Sequence, residues 1–396
     1  MNQKRTLIGL NLAVFLMMLG VGMIMALLPQ KIMTLTGSTA TVGYLASAFA
    51  LSYIILQVPI GSFSDRWGFK YFLTGGYLLC AFTGLIYYLA NLPVLYFLGR
   101  ILQGAGEAPI WALAPALLSI QYAHTKGKVM GVYNAILHLG LTIGPILGIL
   151  LGRICQGNQP FLFYAVACLT GALIILWMVE DKTGKGMTQS QSFNIRNIAS
   201  LMAYRNSSLT LAGITLYGAG YGIFLTNIPA FLIRFKDFTQ LDVSLFFTLF
   251  YVAISISQLL TGSLSDRLGR KKFMIAGLII AAAGITSFPH LGHAWINILL
   301  SVTSLGLGVF YLSSMAYLNE VVPNSLKGTI TGAYYLFWGI GFFFGPIVIG
   351  KATQWGSPQR GYQWFAMLLF VEAIIMMVGD GWIKFKTKNT GISSKP

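Results

Sequence analysis

Charge is what this chain lacks most. Of 396 residues only 9% are Asp, Glu, Lys or Arg, while 56% are hydrophobic. A soluble domain carries about 25% charged residues, so too little charge is present to coat a water-facing surface of this size. Disorder is excluded by the opposite argument, since it needs low hydrophobicity. The three cysteines, Cys80, Cys155 and Cys168, lie in or beside apolar segments and form neither a CxxC pair nor a disulfide framework. Four scattered histidines offer no metal-ligand spacing. There is no phosphate-binding loop and no nucleophile–base constellation. Neither a metal, a cofactor nor an enzymatic activity is therefore expected.

Acid is the scarcer sign, 10 residues against 26 Lys and Arg, for a net charge of +16. In a soluble protein that excess would point to nucleic acid. Here the basic residues sit in short loops between apolar runs, where they orient a chain in a membrane and touch anionic lipid. Membrane lipids, not nucleic acid, are the expected neighbours.

Apolar length, glycine and aromatic residues are abundant. A helix needs about 20 residues to cross the hydrocarbon. Runs of that order occur at 6–28, 41–62, 72–90, 94–118, 129–151 and 160–180. They resume at 207–233, 243–263, 273–291, 294–318, 329–350 and 361–383, which predicts twelve spans. The polar stretch between the sixth and seventh is too short for a soluble domain. The expected organisation is a six-helix bundle over 1–180, a linker over 181–206 and a second six-helix bundle over 207–396 with a short tail. With the N-terminus on one side, nineteen Lys and Arg fall on that side and six on the other, with Arg100 inside a span. This bias predicts both termini on the cytoplasmic side.

The chain repeats itself at an offset of 201. The segment from Gly61 through Asp65, Arg66, Gly68 and Lys70 matches the segment from Gly262 through Asp266, Arg267, Gly269, Arg270 and Lys271. Gly140, Gly144 and Pro145 match Gly341, Gly345 and Pro346 at the same offset. Matching points are separated by an even number of spans, so the halves share one topology. Transporters built as parallel repeats hold substrate between the halves near the midplane.

These residues resemble the major facilitator superfamily. The Gly-x-x-x-Asp-Arg-x-Gly-x-Lys segment is similar to that family's signature loop, and 262–271 to its second copy. Arg100, Gln103 and Gly104 in span four resemble a second family motif. Gly140, Gly144, Pro145 and Gly148 in span five resemble the antiporter motif of its drug/proton exporters. The resemblance implies an all-α fold of twelve transmembrane helices in two pseudo-symmetric bundles, working as a monomer in a bacterial inner membrane. It implies a small-molecule substrate, with protons as the coupling partner. Two departures stand out: Phe69 occupies a position usually basic in the family, and Ser301 stands where a second Arg100 would fall.

Export of small organic or amphipathic molecules, multidrug or metabolite, is the expected function. Proton-driven uptake of a metabolite, or a membrane sensor that kept the fold, are the alternatives. By the resemblance, Asp65 and Asp266 meet the ends of spans eleven and five and latch the halves; the simpler reading is that the loop charges only set topology. The glycines at 140, 144 and 148 lie four apart on one face and allow close helix approach. This serves ordinary packing as well as an exporter mark.

Charges within spans cost about 2.5–3.5 kcal/mol on insertion scales, which singles out Arg100, Glu107 and Glu372. Arg100 and Glu107 are two turns apart with Gln103 between them on one face. They can meet only by reaching toward each other, through Gln103 or water. Glu107 is the expected proton site, with a structural pair to Arg100 as its rival. His138 lies at similar depth in span five with Asn134 on its face, either as packing or as a relay. Glu320 is expected to pair with a loop base and to serve in gating. Glu372 lies in a peripheral span and is expected to meet a polar neighbour. Asn11, Trp111, Tyr217, Tyr221, Asn227, Tyr311, Tyr334 and Trp338 punctuate the spans expected to line the cavity.

Overall fold

In a computed structural model the chain is described over residues 2–122, 125–154, 157–180, 195–322, 327–353 and 357–390. Within these, the side chains of 2, 57–58, 61–62, 65–67, 119, 126–128, 152–153, 195–197, 263, 327–329 and 331, and those from 379 onward, are not described. Among the described residues there is helix and no strand. The first half comprises α1 (Asn2–Thr36), α2 (Thr39–Trp67), α3 (Phe69–Leu89), α4 (Pro93–Gln121), α5 (Lys126–Ile154) and α6 (Pro160–Met178). A short helix, α7 (Ile195–Ala203), follows inside the expected linker. The second half comprises α8 (Arg205–Leu225), α9 (Asn227–Phe235), α10 (Gln240–Leu268), α11 (Arg270–Ser287), α12 (His293–Val321), α13 (Lys327–Ala352) and α14 (Arg360–Thr390). The seventh span is thus two helices, α8 and α9, broken at Thr226.

Among the described residues, eleven helical stretches are long and apolar enough to cross a membrane, with α8 and α9 counted together. The remaining expected span, 94–118, is α4. It is a 29-residue helix, long enough to cross, and its middle carries Arg100, Gln103 and Glu107.

The repeat holds to the residue at three helix starts, α2 at 39 and α10 at 240, α3 at 69 and α11 at 270, α5 at 126 and α13 at 327, and within two residues at the others. Packing follows it. α1 lies on α5 as α8 lies on α13; α2 lies on α4 as α10 lies on α12; α3 lies on α6 as α11 lies on α14. The halves meet along two symmetry-related crossings, α2 with α13 and α5 with α10. At the turns from α2 to α3 and from α10 to α11 stand Gly68 (φ 88°) and Gly269 (φ 97°). Only glycine takes this conformation without strain.

The glycine stripes explain the close packing. A methyl group on Gly144 would stand 2.8 Å from the backbone nitrogen of Met23, and one on Gly140 2.8 Å from the carbonyl of Phe15. In the second half a methyl group on Gly345 would stand 2.7 Å from Ala219 Cα. The stripe therefore seats α5 on α1 within one half, and its counterpart seats α13 on α8.

The start of α1 and the end of α14 lie on one face, termed here the terminal face. On the opposite face the halves close on each other. Arg234 of α9 donates to the carbonyl of Gly37 before α2. Ser47 of α2 donates to the carbonyl of Phe343 of α13 at 2.6 Å. A methyl group on Gly350 would stand 3.1 Å from Ala40 Cα.

Candidate transport cavity

Between the halves lies a cavity of about 500 Å³. Met25, Phe49 and Arg100 bound it toward the opposite face. Ala112, Pro115 and Ala116 of α4, Met130 of α5 and Leu312 of α12 carry its walls toward the terminal face. Asn134 lines it and is nevertheless exposed, so the cavity opens toward the terminal face.

The two walls differ in chemistry. α4 and α5 supply a polar wall. Arg100, Gln103 and Glu107 are all buried and share a face because they lie on successive turns. Arg100 Nη1 donates to Gln103 Oε1 at 2.9 Å, and Gln103 Nε2 donates to Glu107 Oε1 at 2.8 Å. Trp111 Nε1 donates to Glu107 Oε2 at 3.0 Å. Arg100 Nε donates to the carbonyl of Leu45 at 3.0 Å, and its guanidinium lies 4.6 Å above the ring of Phe49. The positive and negative groups therefore meet through the Gln103 amide; among the described residues there is no direct ion pair between them. A buried charge is tolerable only when paired or hydrogen-bonded, and this relay satisfies both groups.

On α5, His138 Nδ1 donates to the carbonyl of Asn134 at 2.8 Å, and its Nε2 stands 3.4 Å from the Gln258 amide nitrogen on α10. A carbonyl can only accept, so Nδ1 carries the proton, and Nε2 is left to accept from the amide. The imidazole is neutral in this arrangement and bridges the halves at one of their two crossings. At its symmetry position stands Gly339, where Ile54 packs.

The opposite wall is aromatic and comes mainly from the second half. Tyr217, Tyr221, Tyr311, Tyr334 and Trp338 all line the cavity, as expected, and Tyr251, Tyr335 and Phe342 join them with Tyr53 from α2. The rings form a continuous lattice: Tyr217 to Tyr311 at 5.5 Å, Tyr221 to Trp338 at 6.0 Å, Trp338 to Phe342 at 4.9 Å and Tyr53 to Trp338 at 5.9 Å. Tyr334 is further held by Ser314, 3.3 Å away.

Three expectations are corrected. Asn11 is not part of the lining, and its Oδ1 has no partner among the described residues. Asn227 braces the break between α8 and α9 instead of facing the cavity: its amide donates to the carbonyl of Pro346 at 3.1 Å, and its carbonyl accepts from Tyr362 at 2.8 Å. Glu372 is buried in α14 away from the cavity, and its Oε1 lacks the expected polar partner among the described residues.

At the terminal face, Arg270 pairs with Asp266 at 2.6 Å and also with Glu320, the loop base expected for that acid. These bonds tie the turn before α11 to the end of α12 in the same half. Arg267 is exposed and Lys70 half-buried. The side chains of Asp65 and Arg66, and those at the start of α5 to which Asp266 was expected to reach, are not described, nor are the surroundings of Gly61.

Residues missed by sequence reasoning include Tyr53, Tyr251, Tyr335 and Gln258. Their direction becomes apparent only once the two halves are docked. Trp111 was expected as a ring in the wall; its position four residues after Glu107 was the available signal for a hydrogen bond.

A family model described as Major Facilitator Superfamily matches residues 10–241 and 210–390. Multidrug resistance protein 2 of Bacillus subtilis (strain 168) is 27% identical over 363 residues, covering 88% of this chain and 89% of its own length. The class H tetracycline resistance protein of Pasteurella multocida is 23% identical over 94% of both chains. In fold, the crystal structure of the nucleoside transporter NupG superposes with a TM-score of 0.79 at 16% identity, covering 94% of this chain and 98% of that one.

Proposed function

The chain belongs to the Major Facilitator Superfamily, and from that premise we propose that it is a proton-coupled exporter of small amphipathic organic molecules. It works by alternating access, with Glu107 as its proton site. The observation that carries this reading is the setting of Glu107. It is the one acid in the lining among the described residues, and it faces a wall of tyrosines and Trp338. Ring faces bind flat, apolar or cationic groups. A carboxylate sought by both a proton and a cationic substrate gives exchange by competition, with no further machinery.

Support for export comes from the glycine stripe of α5 and from relatives whose names mark them as multidrug and tetracycline resistance proteins. In this reading the terminal face is cytoplasmic, the membrane is a bacterial inner membrane and the unit is a monomer. Asp65 and Asp266 close the halves on the cytoplasmic side when the cavity faces outward.

The test is transport in inside-out vesicles with an imposed pH gradient, screened over amphipathic organic compounds. Accumulation inside these vesicles corresponds to export. Glu107→Gln keeps the shape of the protonated acid; it should abolish gradient-driven accumulation and retain passive exchange. Full gradient-driven transport by that variant would overturn the assignment and move attention to His138.

A further inference from the structure

The amide of Gln103 is held from behind by a residue that never reaches the cavity. Tyr87, near the end of α3, is fully buried and donates its phenol to Gln103 Oε1 at 3.0 Å. Arg100 donates to the same oxygen. Two donors occupy both lone pairs of that carbonyl, so the amide can turn only its NH₂ toward Glu107. Trp111 is also donor-only. Every protein group that Glu107 meets in this relay thus offers a hydrogen and none accepts one. An ionised carboxylate is satisfied by that arrangement. A protonated one would hold an O–H that no group of the relay accepts, unless the Gln103 amide turned over and broke with Arg100 and Tyr87.

The aim of the Tyr87 phenol is built in. Its ring stacks on Tyr96 at 6.0 Å and packs on Phe161 at 5.3 Å. Its third side is open only because residue 99 is glycine: a methyl group there would overlap the ring. Tyr96 is in turn tied by its hydroxyl to Asn158 at 3.3 Å. The niche thus runs from the loop before α6 to the relay without entering the cavity.

We propose that Tyr87 is a positioning residue for Glu107: it locks the Gln103 amide so that, with the cavity open to the terminal face, the relay favours release of the Glu107 proton. This rests on the reading of Glu107 as the proton site.

The test needs no transported substrate. Dicyclohexylcarbodiimide attacks a carboxylic acid and not its anion, so its rate of attachment at a fixed neutral pH reports the protonated fraction. The protein is purified into lipid nanodiscs, and modification of Glu107 is followed by mass spectrometry of its peptide, with Glu372 as internal control. One neutral hydrogen bond corresponds to a change of about two- to tenfold. Tyr87→Phe should therefore label Glu107 about two- to tenfold faster than the native protein, with Glu372 unchanged. Gly99→Ala, which displaces the ring while keeping the phenol, should do the same.

Equal labelling of Glu107 in native protein and Tyr87→Phe overturns the proposal. So does a rise at Glu107 and Glu372 together, which would mean general loosening. No labelling of Glu107 in any form overturns it along with the proton-site reading. The vesicle assay on Glu107→Gln judges that reading alone, so the two failures are separable.

Discussion

At the scale of single residues, the relay from Arg100 through Gln103 to Glu107 holds the buried charges of the cavity lining. Gln103→Leu should be more damaging than its modest size suggests. It strands one Arg100 donor, the Tyr87 hydroxyl and one Glu107 oxygen, and a buried unsatisfied group costs about 1–3 kcal/mol. A lower melting temperature in detergent, with loss of gradient-driven transport, is the expected result; an unchanged melting temperature would contradict the relay. Trp111→Phe keeps a ring in the wall and removes one donor from Glu107, so it should alter proton-driven transport and lower stability by about 1–3 kcal/mol. The spacing of Arg100, Gln103 and Glu107 was legible in the sequence because a charge inside an apolar run is rare and helical periodicity is fixed. Asn11 and Asn227 were misread for the opposite reason. A neutral amide gives no sign of which neighbour it serves, and Asn227 serves a break in its own helix.

At the scale of helices, the glycine stripes of α5 and α13 were visible as a four-residue period, but their partner helices were not. The structure assigns them to α1 and α8, inside each half. Gly144→Leu should therefore push α1 off α5 and destabilise the first bundle by about 1–3 kcal/mol or more, as overpacking does. Reduced yield of folded protein would register this; native yield and melting would refute tight α1–α5 packing. The ionic cluster of Asp266, Arg270 and Glu320 behaves differently. Its acids are more than half exposed, and exposed pairs contribute about 0–1 kcal/mol. Asp266→Asn should leave thermal stability nearly unchanged yet slow transport, if the proposed part of this acid in closing the halves holds. Native transport rates under a saturating gradient would leave these charges with topology alone.

At the scale of the whole molecule, the twelve-span frame, its repeat and its twofold plan were all readable, because hydropathy, loop charge and the 201-residue offset each constrain the same count. The direction in which the cavity opens was not readable, since one sequence serves both alternating forms. In this form the halves touch at Ser47 with Phe343 and at Arg234 with Gly37, while Asn134 is open to the terminal face. Asn134→Cys should accordingly react with a membrane-impermeant maleimide applied from the terminal face and resist it from the other. Reaction only from the opposite face would show that another form dominates in the membrane.

The polarity of α4 has a consequence for how the protein is made. A segment emerging from the ribosome enters the bilayer according to its own hydrophobicity, and central charged residues count heavily against it. α4 carries Arg100 and Glu107 inside its apolar length, and both are buried. It should therefore depend on earlier segments that can receive it, α2 and α3, both of which pack on it. A chain shortened to end just after residue 121 should integrate α4, whereas the same fragment without 39–89 should leave it outside the membrane.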